Sequence, residues 1–158
     1  MYILMIALTM FVFPIGSILV ELFLFKSPLG IVSLIGKWYA FWAVGIRLFI
    51  AGLRQSTNPQ FTAQQILGIS GDEPLQIVQE LGFANLSIGL LGILTILNAN
   101  WTIPAAIAGG LFYGLAGIRH IFKAEKNSLE KAAMVSNLII FILLAGFLIQ
   151  GIILGLAR

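Results

Sequence analysis

The chain has 158 residues, of which 59% are apolar and 9% are charged, and its net charge is +3. Soluble domains carry about 25% charged residues, so this composition excludes a water-soluble fold, and it is the reverse of the charge-rich composition of disordered chains. Because the sequence has no cysteine, disulfides and thiolate metal sites are excluded as well. We therefore predict an integral membrane protein that forms a single transmembrane domain over residues 1–158.

The first two apolar runs cover residues 2–25 and 31–54. Each is long enough to cross the hydrocarbon core, which takes about 20 residues in a helix. The first run is too long for a signal peptide and has no basic residue before Lys26, so we interpret it as a retained membrane helix. A turn containing proline and glycine at 27–30 separates the two predicted helices.

The segment after the second run, residues 56–73, is polar and is interrupted by glycine and proline. Within it, Thr62 and Gln65 have the spacing of a capping box, in which the two side chains close the first turn of a helix. This pattern predicts one short interfacial helix between the second and third spans. Pro74 is suited to the first turn of the next helix, where its missing amide is not needed.

Three further apolar runs complete the chain, at residues 74–97, 103–122 and 129–157. Asn127 followed by Glu130 resembles a helix start and marks the beginning of the last run. No segment has the alternating pattern of a strand. The predicted fold is therefore all-α: a polytopic five-helix bundle with a short interfacial helix between helices 2 and 3.

The distribution of Lys and Arg in the short loops predicts the orientation, because these residues accumulate on the cytoplasmic side. The side that would hold the N-terminus has five such residues, and the other side has three. The five are Arg54, Arg119, Lys123, Lys126 and Lys131, and the three are Lys26, Lys37 and Arg158. We predict a multi-pass protein of the inner (cytoplasmic) membrane with its N-terminus inside and its C-terminus outside.

Small residues form stripes on three predicted helices, at the three- and four-residue spacing that places them on one face. In lipid, such stripes let helix backbones approach each other, so we interpret them as packing surfaces. They are Gly82, Asn85, Gly89 and Gly92 on the third helix, Ala106, Gly110, Gly114 and Gly117 on the fourth, and Gly151 and Gly155 on the fifth.

Charged side chains inside the predicted spans need partners, since one near the bilayer centre costs about 2.5–3.5 kcal/mol on insertion scales. Arg47 lies on an alanine-rich face of the second helix, seven residues before Arg54 and therefore about 10 Å from the inner boundary. Glu80 lies six residues after Pro74, at nearly the same depth. The sequence thus predicts an Arg47–Glu80 ion pair, either direct or bridged by water or a ligand.

The same depth argument pairs Glu21 with Lys37 near the outer boundary, as a second ion pair. The polar residues of the inner half could line one pocket that opens inward. They are Arg47, Glu80, Asn85, Tyr113, His120 and Asn137. Three interpretations remain open for them: a purely structural network, a binding pocket for an anionic or quinone-like molecule, and a path for protons or ions.

Motifs for catalysis and metal binding are absent from the sequence. No helix carries two histidines at the spacing of a metal or haem site, and there is no phosphate loop, nucleophile elbow or dinucleotide fingerprint. We therefore predict no catalytic residue and no metal. The basic segment after Phe122 has no interleaved aromatic residues, so we interpret it as a topology signal with an attraction to anionic lipid head groups, and not as a nucleic-acid site.

Two stretches resemble the DoxX-like membrane proteins. Gly45-Ile-Arg47-Leu-Phe-Ile-Ala-Gly52 is similar to the first helix of that family, and Gln79-Glu80-Leu-Gly82, with the glycines that follow and Pro104, is similar to its second and third helices. The whole chain also resembles a family of small bacterial membrane proteins of unassigned function. The DoxX resemblance implies a bundle with positions 47 and 80 facing inward and, because some members accompany quinone-linked oxidoreductases, a quinone as one possible cofactor.

Together these observations favour an accessory or ligand-binding membrane subunit with an inward-facing polar pocket for a quinone, a lipid or an anionic molecule. The alternative is a small oligomeric transporter or channel protomer. A membrane enzyme is the least favoured function, since the sequence offers no set of nucleophile and base. The expected partners are the lipid bilayer and either further copies of the chain or a larger membrane complex.

Overall fold

The computed structural model describes residues 2–153 and 155, and within them every regular element is helical. Five helices are long and apolar enough to cross a membrane, as predicted. They are α1 (Tyr2–Leu24), α2 (Ile31–Thr57), α4 (Glu73–Leu94), α5 (Thr102–Ile121) and α6 (Ser128–Ile153), and the short helix α3 (Phe61–Ile66) lies between α2 and α4.

The ends of the helices differ from the prediction in a few places. Helix α6 ends at Ile153, and the rest of the predicted run to residue 157 lies outside the described residues except for Gly155. Thr62 lies inside α3 and not at its N-cap, which is Gln60 without a side-chain cap, so the capping box is not formed. The cap predicted at Asn127 is formed, because its side-chain oxygen accepts from the Glu130 amide at 2.9 Å.

The glycine stripe of α4 packs directly on α2, which confirms its interpretation as a packing surface. A Cβ atom added to Gly89 would lie 2.5 Å from the Phe49 amide nitrogen, and one added to Gly82 would lie 2.8 Å from the Ser56 amide nitrogen. Gly92 meets the backbone of Gly45 in the same way. The two helices therefore approach each other so closely that backbone faces backbone.

The glycine stripe of α5 packs on α6. Side chains of α6 occupy the space that Cβ atoms on these glycines would fill. A Cβ atom on Gly114 would lie 2.7 Å from the Phe141 ring, and one on Gly117 would lie 2.7 Å from a Leu138 methyl group. The packing stripe predicted at Gly151 and Gly155 is not seen among the described residues. There, no atom lies within 4 Å of a Cβ added to Gly151, and Gly155 has a φ of 69°.

The core lies where α1, α2, α5 and α6 meet, around large buried side chains that include Met10, Leu34, Tyr113 and Leu144. The outer surface, in contrast, exposes many large apolar side chains along all five long helices. A water-soluble protein rarely exposes such an extensive apolar surface. The helix lengths and this surface together are those expected of a multi-pass membrane protein.

A single methyl group tests the contact between α2 and α4. We expect Gly89→Ala to destabilise the fold by about 1–3 kcal/mol, because the new Cβ collides with backbone that cannot move independently of its helix. The matched control is Gly146→Ala on α6, which has open space around it and should be neutral or stabilising by up to about 1 kcal/mol. Thermal unfolding in detergent measures both, and equal midpoints for the two variants would contradict the packing described here.

Candidate ligand-binding cavity

A cavity of about 160 Å³ lies inside the bundle, at the end that α3 covers. Five of the six predicted pocket residues line it: Arg47, Asn85, Tyr113, His120 and Asn137. The sequence interpretation did not include three further polar residues that line it, namely Tyr2, Gln55 and Thr62. Polar side chains from all five long helices and one from α3 thus line a common space.

Arg47 is the most unusual group of this cavity, since it is charged and only 5% exposed. Its Nη2 donates to Ser136 Oγ at 2.8 Å and to Asn137 Oδ1 at 3.3 Å, both on α6. The guanidinium carbon lies 5.2 Å from the centre of the Tyr113 ring. Nη1 has no hydrogen-bond partner, and no carboxylate lies within 4.0 Å of the guanidinium in the part of the chain that the structure describes.

Glu80, the sixth predicted pocket residue, is exposed and does not line the cavity. Its carboxylate accepts from Gln76 Nε2 at 3.4 Å on its own helix. The prediction of an Arg47–Glu80 ion pair is therefore wrong. The reason is the direction in which each side chain leaves its helix. Two residues of an α-helix turn through about 200°, so Glu80 lies opposite Gly82, which packs on α2, and Arg47 lies opposite Gly45, which packs on α4.

Asn85 and Gln55 connect α4 to α2 next to the cavity. Asn85 Nδ2 donates to Gln55 Oε1 at 2.7 Å, and Asn85 is only 2% exposed. Asn85 Oδ1, however, is buried without a partner among the described residues. The cavity therefore has both an unpaired charged donor, on Arg47, and an unpaired acceptor.

Tyr113 is held in place by a wide turn of α2. Residues 40–46 are π-helical, and the Arg47 amide donates to Trp42 O, whereas in an α-helix it would donate to Ala43 O. The Tyr113 hydroxyl donates to Ala43 O instead, at 2.6 Å. The irregular turn thus fixes the tyrosine beside Arg47, and the tyrosine satisfies a carbonyl that the turn leaves free.

His120 contacts a buried carboxylate whose importance the sequence interpretation missed. Its Nδ1 lies 2.9 Å from Glu130 Oε1, and Lys123 Nζ lies 2.8 Å from Glu130 Oε2. Glu130 is 1% exposed and was interpreted only as part of a helix start. The sequence does contain a signal for its role as an ion-pair partner. Two basic residues, His120 and Lys123, lie shortly before Glu130 in the sequence, across the loop between α5 and α6.

The same loop holds α3 over the end of the cavity. Lys123 Nζ donates to Leu67 O at 2.9 Å, and Asn127 Nδ2 lies 3.1 Å from Gln65 O and 3.2 Å from Ile66 O. Leu67 and Ile66 themselves line the cavity. The connection between α5 and α6 and the short helix therefore form one cover.

The predicted pair of Glu21 and Lys37 forms a separate polar centre on α1 and α2. Lys37 Nζ lies 2.8 Å from Glu21 Oε2, and the same carboxylate accepts from Trp38 Nε1 at 2.7 Å and from Ser27 Oγ at 3.3 Å. An open hollow of about 660 Å³ borders these residues. Unlike Arg47, Lys37 has its counter-ion at contact distance.

The described residues contain no cluster of three or more His, Asp or Glu side chains that could hold a metal ion. A sequence model described as a family of unknown function, DUF6790, matches residues 4–156. Comparison with curated proteins gives no match, and comparison with solved structures gives none either. These findings support the resemblance to a family without an assigned function, and nothing in them links the chain to the DoxX-like proteins.

The hydrogen bond of Tyr113 can be tested by removing one oxygen atom. We expect Tyr113→Phe to destabilise the fold by about 1–3 kcal/mol, because the buried Ala43 carbonyl loses its donor. Tyr39→Phe is the control, since Tyr39 is also buried but its hydroxyl donates to no group in the described residues. Thermal unfolding measures both variants. An equal loss of stability in the two would mean that the hydrogen bond from Tyr113 to Ala43 does not stabilise the fold.

Proposed function

The chain belongs to the DUF6790 family of unknown function, and we propose that it is an accessory or ligand-binding membrane subunit. In this proposal the cavity holds an anionic small molecule or the head group of a quinone or lipid. One observation carries the proposal: the Arg47 guanidinium is buried at the cavity with Nη1 unpaired and with no carboxylate beside it among the described residues.

The chemistry of a buried guanidinium favours an anion as the ligand. Removing a charge from water is costly unless the charge is paired and hydrogen-bonded. Ser136 and Asn137 supply neutral oxygens to Nη2 but no negative charge. An anion that accepts from Nη1 would supply both the missing hydrogen bond and the counter-charge, in the geometry that arginine offers to carboxylates and phosphates.

The size of the cavity limits what it can enclose. Sites that surround a drug-sized ligand have volumes of about 300–1,000 Å³, whereas this cavity measures about 160 Å³. A whole quinone or lipid is too large for it. The proposed occupant is therefore a compound with few non-hydrogen atoms, or a head group whose tail lies outside the cavity.

The location of the protein is part of the proposal. We place it in the inner membrane with its N-terminus inside, on the bias of Lys and Arg in its loops. With this orientation α3 and the loop after α5 face the cytoplasm, and a ligand reaches the cavity from that side. Assembly with further copies or with a larger complex would be detected by copurification.

A small transporter or channel protomer is the second candidate. The observation that favours it is the presence of two polar centres on one helix, α2, which carries both Lys37 and Arg47. A ligand that passes between the two centres would cross much of the membrane. Flux of acetate into liposomes that contain the protein distinguishes this function from binding alone.

The anion proposal is tested by changing Arg47 and measuring thermal stabilisation by acetate and by inorganic phosphate. A ligand at a concentration of 100 times its Kd stabilises the fold by about 2.7 kcal/mol, and we expect Arg47→Gln to abolish this stabilisation. Arg54→Gln is the matched control, because Arg54 stacks on Phe61 outside the cavity. Arg47→Lys keeps the charge and should retain weaker binding.

An anion effect of equal size in Arg47→Gln and in the unmodified protein would refute the proposal. Native mass spectrometry of the purified protein provides an independent measurement, since a retained small molecule should be present in Arg54→Gln and absent from Arg47→Gln.

The proposed orientation is tested with single cysteines, for which the cysteine-free sequence gives no background. Asn100 and Ala124 are both exposed, in the loops after α4 and after α5. We expect a membrane-impermeant maleimide to label Asn100→Cys in intact cells and to label Ala124→Cys only after permeabilisation. The opposite pattern would reverse the orientation.

A further inference from the structure

We infer that the ligand of the Arg47 cavity is a singly charged anion with a hydroxyl group beside its charged group, as in a small hydroxycarboxylate. This inference rests on the proposed function and specifies the chemical class of its ligand. Its basis is the charges and the free hydrogen-bonding atoms that surround the cavity.

The charges around the cavity call for one negative charge. Besides Arg47, the ionisable groups of the lining are Tyr2, Tyr113 and His120. Behind His120, the carboxylate of Glu130 is already matched by Lys123 at 2.8 Å. In the described part of the chain this leaves the guanidinium as the unmatched charge, and a single negative charge neutralises it.

His120 presents an acceptor to the cavity when its ring is neutral. An ionised carboxylate can only accept hydrogen bonds, so the Nδ1 atom that lies 2.9 Å from Glu130 carries the proton. In a neutral imidazole the other nitrogen, Nε2, then has a free lone pair. The Glu130 carboxylate thereby selects the tautomer that the histidine offers to a ligand.

Asn85 presents a second acceptor. Its Nδ2 is engaged by Gln55, and its buried Oδ1 has no partner among the described residues. The cavity thus combines a free charged donor on Arg47 with a free acceptor on Asn85 and, in the neutral ring, one on His120. A bare carboxylate satisfies the donor only and leaves the buried Asn85 oxygen unpaired, which is unfavourable. A neighbouring hydroxyl group supplies a donor, and the combined group is small enough for about 160 Å³.

The test compares sodium glycolate, acetate and sulfate as ligands of the purified protein at one fixed pH. Glycolate and acetate carry one charge and differ by a hydroxyl group, whereas sulfate carries two charges. Because one hydrogen bond contributes about 0.5–1.5 kcal/mol, we expect calorimetry to give about 2- to 12-fold tighter binding of glycolate than of acetate. Sulfate should bind no more tightly than acetate.

Two variants locate the effect. Asn85→Leu and His120→Phe each remove one acceptor, together with the hydrogen bond to Gln55 or to Glu130. Each should lower the ratio of glycolate affinity to acetate affinity. Acetate binding by the same variant also shows that it has folded. A preference for glycolate that persists in both variants would overturn the inference.

The same chemistry occurs in a lipid head group, since phosphatidylglycerol carries one negative charge beside hydroxyl groups. Nanodiscs of phosphatidylcholine with and without phosphatidylglycerol distinguish the two sources. Displacement of glycolate by phosphatidylglycerol identifies the lipid as the natural ligand, and undiminished glycolate binding identifies a free acid.

The failure of this inference can be told apart from the failure of the proposed function. Equal binding of glycolate and acetate, both lost in Arg47→Gln, would remove the hydroxyl requirement and leave the anion site in place. The absence of binding by glycolate, acetate, sulfate and phosphatidylglycerol would remove the anion site itself.

Discussion

The arrangement of this bundle depends on one constraint, which is that the Arg47 guanidinium on α2 must be kept away from acyl chains. Among the described residues no carboxylate lies at contact distance to help. Helix α2 meets that constraint by using two opposite faces. Gly45 and Gly52 let the backbone of α4 approach on one face, while Arg47 reaches Ser136 and Asn137 of α6 on the other. The glycines are as important for the position of the charge as its hydrogen-bond partners are, because their close contact fixes the rotation of α2 about its axis.

The two polar centres that involve α2 differ in whether the protein itself satisfies them. Glu21 and Lys37 neutralise each other, and Trp38 and Ser27 add hydrogen bonds to the carboxylate, so this centre is satisfied by the protein alone. At Arg47 only one of the two terminal nitrogens has a hydrogen-bond partner among the described residues. A structural network accounts well for the first centre, whereas the second has the unpaired donor that a ligand site requires. For that reason our proposals concern Arg47 and not Lys37.

The end of the cavity near α3 combines folding and binding roles in the same residues. Asn127 caps α6 and also holds the last carbonyls of α3, while Glu130 accepts from Lys123 and positions His120 at the cavity. The start of a membrane helix thus helps to hold the cover of the cavity in place. A change there would alter the stability of α6 and the environment of a ligand together.

The sequence by itself determined the membrane class, the five long helices and the short helix after α2, and it named five of the polar residues that line the cavity. Apolar run length, turn residues and small-residue spacing are local properties, so they can be read without a partner helix. Depth is a local property as well, because each residue adds a fixed rise, and on that basis the sequence predicts one depth for Arg47 and Glu80. Only the tertiary structure decided which way each side chain faces, since the rotation of a helix about its axis is set by its neighbours. As a result, Glu80 faces outward and Ser136 contacts Arg47. Glu130, which the sequence predicts only as part of a helix start, is also the buried partner of His120.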